Sequence, residues 1–242
     1  MEPLDSTTST TPPAFPIVGI GSSAGGLEAL QLLLKHLPSA TGLAFVVVQH
    51  LDPKHESMLV DILSRATAMP VCQAADGVLV EPDRVYVMPP NTALHLSEGA
   101  LRVTLGAPGS GPRMLIDRFL RSLAEDRKNK AIGVILSGTG SDGAEGLRAI
   151  RAQGGVTFAE DQGSAKFGGM PQRAVATGCV DFVMPPEAIA QELARMANQP
   201  WPIPPTAAGK TGVPDRETAP DDLSQVFVLL LETTGVDFSL YR

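Results

Sequence analysis

Three short stretches of the sequence hold residue types able to carry out acyl transfer. Gly21-Ser22-Ser23-Ala24-Gly25 spells G-x-S-x-G, with Ser23 at the central position. In a sharp strand-to-helix turn, small neighbours let such a serine stand clear of the sheet, and the free N–H groups of the helix start face the place where an oxyanion would form. His50 closes the apolar run AFVVVQH. Asp142 lies among glycines in SGTGSDGAEGL. A serine hydroxyl is a poor nucleophile until a base takes its proton. A carboxylate that orients an imidazole and stabilises its charged form completes the set.

Each stretch also has a plainer reading. The first can be a glycine-rich turn with an incidental serine. It also fits the dinucleotide pattern G-x-G-x-x-G/A as Gly19-Ile20-Gly21-Ser22-Ser23-Ala24, which would seat a pyrophosphate on a helix N-terminus. That pattern needs an acid at the end of the second strand for a ribose hydroxyl; Gln49 and His50 stand there instead. His50 alone could be a structural hydrogen-bonding residue, and Asp142 alone a helix N-cap. Of the other histidines, His36 falls near the end of a helix, His55 in the polar stretch DPKHES, and His95 in an alternating strand where it should be exposed. The joint occurrence of serine, histidine and aspartate at three strand ends favours the chemical reading.

The elements that must position these residues are legible in the periodicity. Apolar runs at Ile17–Ile20, Leu43–Val48, Val85–Val87, Ile132–Leu136 and Val156–Phe158 alternate with helical patterns at Leu27–Leu37, Met58–Arg65, Leu115–Asp126, Gly143–Gln153 and Pro186–Met196. Such alternation predicts an α/β fold, a doubly wound and mostly parallel sheet with helices on both faces. In a parallel sheet the carboxyl ends of the strands share one edge, where sites form. Residues 83–104 read differently, as short strands and turns forming an antiparallel section at the sheet edge. FGGMPQRAV should begin a helix at Pro171, since proline in a first turn needs no N–H donor.

Composition narrows the function classes. A net charge of −7 argues against nucleic acid as a partner. The two cysteines, Cys72 and Cys179, have no metal-ligand spacing and fit a reducing compartment. No apolar run approaches the roughly 18–20 residues that span a bilayer. No metal or other cofactor is expected, and no membrane insertion. Residues 1–14 read as a disordered lead-in, 15–197 as the folded domain, 198–220 as a proline-rich linker and 221–242 as an apolar helical tail.

The combination GIGSSAGGLEAL, VVVQHLDP, ILSGTGSDGAEGL and FGGMPQRAVATGCVD closely resembles the catalytic domain of the chemotaxis receptor methylesterases, the CheB family, over roughly residues 15–197. The resemblance places the triad serine at Ser23, the histidine at His50 and the aspartate at Asp142. It implies hydrolysis of γ-glutamyl methyl esters on the cytoplasmic helices of chemoreceptors, with release of methanol, and in many members deamidation of receptor glutamines. Oxyanion donors are expected from the backbone at Ala24 and Thr139, and Met170 is expected near the substrate. A methionine commonly stands at the Thr139 position in the familiar enzymes, which puts substrate preference in question but leaves the triad intact.

The chain order Ser…His…Asp differs from the Ser…Asp…His order of the α/β-hydrolases, so the shared G-x-S-x-G reflects convergence. Too few residues precede the first strand to hold a receiver domain, so control by receiver phosphorylation is not expected in cis. The tail is similar to the opening helix of receptor methyltransferase domains, which makes a methyltransferase domain in the same full-length protein an implied partner. The chief alternative is a non-catalytic module of the same fold that binds receptor or kinase. An esterase or amidase acting on another substrate is a third reading.

Overall fold

A computed structural model describes residues 15–49, 58–105 and 114–199. These all fall in the first of two compact units, which ends at Pro204. The lead-in at 1–14, the tail at 221–242 and residues 200–220 of the linker lie outside the described residues.

The central sheet is built from β1 (Ile17–Ser22), β2 (Ala44–Gln49), β3 (Val71–Gln73), β5 (Val85–Val87), β8 (Ala131–Ile135), β9 (Val156–Glu160) and β10 (Phe182–Met184). Its order is β10-β9-β8-β1-β2-β5-β3, and every pairing is parallel. The chain builds outward from β1 through β2, then crosses back to lay β8 on the other side. The topological switch therefore falls between β1 and β8, where open parallel sheets place their crevices.

Helices cover both faces. On one side α1 (Gly26–His36), α2 (Leu59–Ser64) and α6 (Pro186–Ala197) bury Leu30, Leu33, Leu34, Leu63, Ile189 and Leu193 against Val18, Ile20, Phe45, Val47 and Val134. On the other, α3 (Leu115–Arg127), α4 (Ala144–Ala152) and α5 (Gly169–Ala176) pack on Ile17, Val46, Val48, Ala131 and Ile135. Alternate residues of each strand thus feed opposite cores, as the pleat requires.

The antiparallel section is present, as a sheet of its own. β4 (Val78–Leu79), β7 (Ala100–Leu105) and β6 (Thr92–Ser97) form a three-stranded sheet in that order. Val85–Val87, grouped with this section by its sequence position, instead pairs in parallel with β2 and β3. Its three residues are buried on both faces, which a central parallel strand demands and an edge ribbon does not. Asn91 takes a positive φ in the turn before β6.

The glycines of the first strand have a packing role. A Cβ on Gly19 would lie 2.7 Å from a Leu120 methyl carbon and 2.8 Å from one of Leu123, while one on Gly21 would collide with the Ile116 side chain. Gly133 of β8 likewise makes room for Leu147 and Ile150 of α4. Gly19 and Gly21, which suggested a phosphate loop, are strand residues that let α3 sit close to the sheet. α3 and α4 meet as closely: a Cβ on Gly146 would fall 2.5 Å from Leu120 Cβ, an atom with no freedom to move away.

That contact decides the sign of a substitution. Alanine in a helix is worth up to about 1 kcal/mol over glycine, but overpacking a filled core costs about 1–3 kcal/mol. Gly146→Ala should therefore lower the urea midpoint of unfolding despite its better helix propensity. A raised midpoint would mean that α3 and α4 can separate freely.

Candidate active site

The turn after β1 separates its two serines. Ser22 ends the strand fully buried, and its hydroxyl has no hydrogen-bond partner among the described residues. Ser23 is half-exposed and donates its backbone N–H to the Ser137 carbonyl oxygen at 3.0 Å. Gly25 follows at φ 71°, the left-handed conformation that glycine adopts without strain. It leads into α1, whose first-turn N–H groups lack intrahelical acceptors.

The loop after β8 lies against this turn. The Ser137 hydroxyl donates to the Ala24 carbonyl oxygen at 3.1 Å and accepts the Phe167 N–H at 2.9 Å. Gly138 donates its N–H to the Phe167 carbonyl oxygen at 2.9 Å, and its own carbonyl oxygen accepts the Met170 N–H at 2.9 Å. A Cβ on Gly138 would lie 3.0 Å from Ser23 Cβ and would collide with the Met170 sulfur. Ser23, Ala24, Gly138 and Met170 are thus drawn together around Ser137, a residue the sequence reading did not single out. Thr139 and Gly140 follow on the exposed rim. Among the described residues, the N–H groups of Ala24 and Thr139 make no hydrogen bond.

Met170 is fully buried, with its sulfur beneath Gly138. It forms the floor of the loop and is closed to solute in this conformation. α5 begins at Gly169, two residues before the expected start, because Gln172 already donates its N–H to the Gly168 carbonyl oxygen. Pro171 therefore falls inside the first turn, where its missing N–H costs nothing. Phe167 is 42% exposed, and its ring borders Gly25.

Glu160, the last residue of β9, supports the same loop from below. Its carboxylate accepts the Ser137 N–H at 2.7 Å and the Ser164 hydroxyl at 3.1 Å. Burial pushes this carboxyl above the ordinary glutamate value, and the charges of Asp161 and Glu187 add to the effect. The two hydrogen bonds pull the other way.

Asp142 is buried at the junction of α3 and α4. Its two carboxylate oxygens accept the N–H of Ile116 at 3.0 Å and that of Asp117 at 2.9 Å. Its helix-capping role is thus real, but it caps α3 and not the helix that follows it in sequence. The Ile116 side chain lies where Cβ atoms on Gly21 and Gly143 would be, so the Asp142 junction sits below the end of β1. Asp117 is buried and accepts the Gly146 N–H of α4 at 2.6 Å. Arg113 and His55 lie outside the described residues, as does His50. The chain neighbour of His50, Gln49, pairs in register with Ser22. His36 ends α1 and hydrogen-bonds the Leu32 carbonyl oxygen, and His95 is half-buried opposite Arg102.

A nucleophile-type serine at the switch point, with a buried carboxylate beside the neighbouring strand end, fits a hydrolase site better than a nucleotide cradle. A sequence model described as CheB methylesterase matches residues 18–193. The chain belongs to the CheB methylesterase family. It is similar to a protein-glutamate methylesterase/protein-glutamine glutaminase of Anaeromyxobacter dehalogenans, with 39% identity over 186 residues, covering 74% of this chain and 53% of that protein. A protein of the same description from Pseudomonas syringae is 39% identical over 195 residues, covering 78% of this chain and 58% of that one. The chain spans about half the length of the curated relatives it matches. The crystal structure of the Thermotoga maritima CheB methylesterase catalytic domain superposes with a TM-score of 0.69 at 32% identity, covering 76% of this chain and all of that one.

No helix among the described residues is long and apolar enough to cross a membrane. Cys72 and Cys179 are both free.

The buried Glu160 carboxyl makes a pH prediction. With its folded pKa raised, the folded state holds the proton more tightly than the unfolded chain. Stability therefore falls as pH rises through the window that begins at the ordinary value of 4.5 and ends at the raised one. Glu160→Gln keeps an acceptor for the Ser137 N–H and cannot titrate. Urea titrations across that window should give a shallower decline for the variant. Asp117, raised in the same direction, leaves part of the slope in place. An unchanged slope would show that Glu160 titrates normally.

Proposed function

We infer that the chain is a serine hydrolase that removes glutamyl γ-methyl esters from the cytoplasmic helices of chemoreceptors, releasing methanol, through Ser23, His50 and Asp142. The observation that carries this reading is the half-open Ser23 at the β1/β8 switch point, drawn against the loop that leads to the buried Asp142. Family membership supplies the substrate class. His50 follows Gln49, which is paired with Ser22, and this order in the chain supports His50 as the base.

The steps follow from the chemistry of the three groups. Ser23 Oγ attacks the ester carbonyl carbon while the imidazole takes the hydroxyl proton. The negative charge that develops on the carbonyl oxygen is met by the N–H groups of Ala24 and Thr139, which are unengaged within the described residues. Collapse of the intermediate breaks the bond to the methoxy oxygen, which leaves as methanol with the proton from the imidazolium. Water then attacks the acyl-enzyme by the same base, restoring Ser23 and leaving a glutamate side chain. A carboxamide in the same place would release ammonia, so receptor glutamines are a second substrate of the same machinery.

The glycine turn holds the serine, the Ser137 hub holds the oxyanion loop, and α3 holds Asp142. Met170 contributes by fixing the height of Gly138, while the exposed Thr139 borders the substrate side. The same reading puts the chain in the cytoplasm with its receptors. It also leaves room for a methyltransferase domain in the full-length protein, suggested by the sequence of residues 221–242.

Methanol release from a methylated receptor fragment tests the proposal. Ser23→Ala should lower the rate roughly a thousandfold or more, with no loss of thermal stability. Asp142→Asn should cost several orders of magnitude as well, by about 10⁴ if the imidazole tautomer is lost as in serine proteases. Wild-type protein that binds the receptor fragment without releasing methanol would support a non-catalytic module instead.

A further inference from the structure

Asp117 and Asp142 are exchanged between two helices. Asp142, just before α4, takes two N–H groups from the first turn of α3. Asp117, in the first turn of α3, takes the Gly146 N–H from the first turn of α4. Each helix start is satisfied by a carboxylate belonging to the other, and both carboxylates are buried, Asp117 at 2% exposure and Asp142 at 5%.

The two are not equivalent. Both oxygens of Asp142 accept backbone donors, a setting that favours the charged form. Of Asp117, Oδ1 accepts the Gly146 N–H, the Gly143 N–H acts on the carboxyl more weakly, and Oδ2 is buried with no well-formed hydrogen bond among the described residues. A bare buried carboxylate oxygen is costly when charged, far more so than when it carries a proton. A second negative carboxylate nearby makes ionisation costlier still, so the less satisfied of the two keeps its proton.

We propose that Asp117 is a positioning residue for Asp142 and holds the proton of the pair, so that Asp142 alone carries the negative charge. This rests on the reading of Asp142 as the group that orients the catalytic histidine. The groups acting on Asp117 agree in direction. Burial raises its pKa most, and the Asp142 charge raises it further; the N–H groups of Gly146 and Gly143 and the charge of Arg121, one turn along α3, oppose them and lose. On α4, Glu145 and Arg148 are occupied with each other at 3.1 Å. The neutral Asp117 keeps α3 and α4 in register through Gly146 and so fixes the N–H groups that hold Asp142. It does this without adding a second negative charge beside Asp142, which would raise the pKa of a base paired with Asp142 and narrow the active pH range.

The test uses the full chain and a glutamyl γ-methyl ester peptide. Asp117→Asn copies the protonated carboxyl in shape and keeps an acceptor for Gly146. It should leave kcat within about twofold and the acid limb of the pH–rate profile in place. Asp117→Ala, which removes the acceptor, should lower kcat roughly ten- to a hundredfold by letting Asp142 drift, with KM unchanged. The pattern of loss with alanine and rescue with asparagine marks positioning. A folded Asp117→Ala variant with wild-type kcat would overturn the positioning role. An acid limb moved to lower pH in Asp117→Asn would overturn the proton assignment, because it would mean that a charge had been removed.

Should Asp117→Ala not fold, the infrared difference between wild type and Asp117→Asn still decides the proton. A protonated-carboxyl stretch at neutral pH, present in wild type and absent in the variant, is expected, and its absence from wild type would overturn the assignment. That band does not depend on turnover. Wild type that shows the band but releases no methanol would therefore sink the esterase reading while leaving the proton on Asp117.

Discussion

A helix that starts at the carboxyl edge of a sheet brings unpaired N–H groups with it, and here three helices do so within one small region. Most of the site is a solution to that excess of donors. The α3 start is met by Asp142 and the α4 start by Asp117. At the start of α1, beside Ser23, Gly26 donates its N–H to the Ser23 carbonyl oxygen, and the Glu28 carboxylate takes its own backbone N–H. Two helix starts are thus closed by carboxyl groups from within the fold.

Close approach makes this arrangement stable. Gly19 and Gly21 let α3 lie against β1, Gly133 lets α4 lie against β8, and Gly146 brings the two helices together. A buried carboxylate needs such proximity, since its hydrogen bonds must be short and complete to offset the loss of water. Ser137 plays the matching role on the rim. It fixes the Ser23 backbone with its carbonyl oxygen, Ala24 and Phe167 with its hydroxyl, and is itself held through its N–H by Glu160.

Much of this was legible before any coordinates. The parallel sheet followed from the alternation of apolar runs and helical patterns, and the shared rim followed from the sheet. G-x-S-x-G selected Ser23 over Ser22, and the structure separates the two by burial. Short elements were harder. Val71–Gln73 and Phe182–Met184 are too brief for a period to show, and Val85–Val87 was drawn toward its neighbours in sequence although it pairs elsewhere. The supporting residues were least visible. Ser137, Glu160 and Asp117 act through contacts 23 to 113 positions away in the chain, and nothing in their local sequence announces it.

The small antiparallel sheet is fastened to the same helix that Asp142 caps. The Ser122 hydroxyl accepts the Leu96 N–H, and the Asp126 carboxylate accepts the Gly99 N–H. α3 is thus a strut pinned at both ends, to the rim at its beginning and to the hairpin further along. Neither end can slide along the helix axis unless a peptide group is stripped of its acceptor. The hairpin, remote from the nucleophile, belongs mechanically to its support.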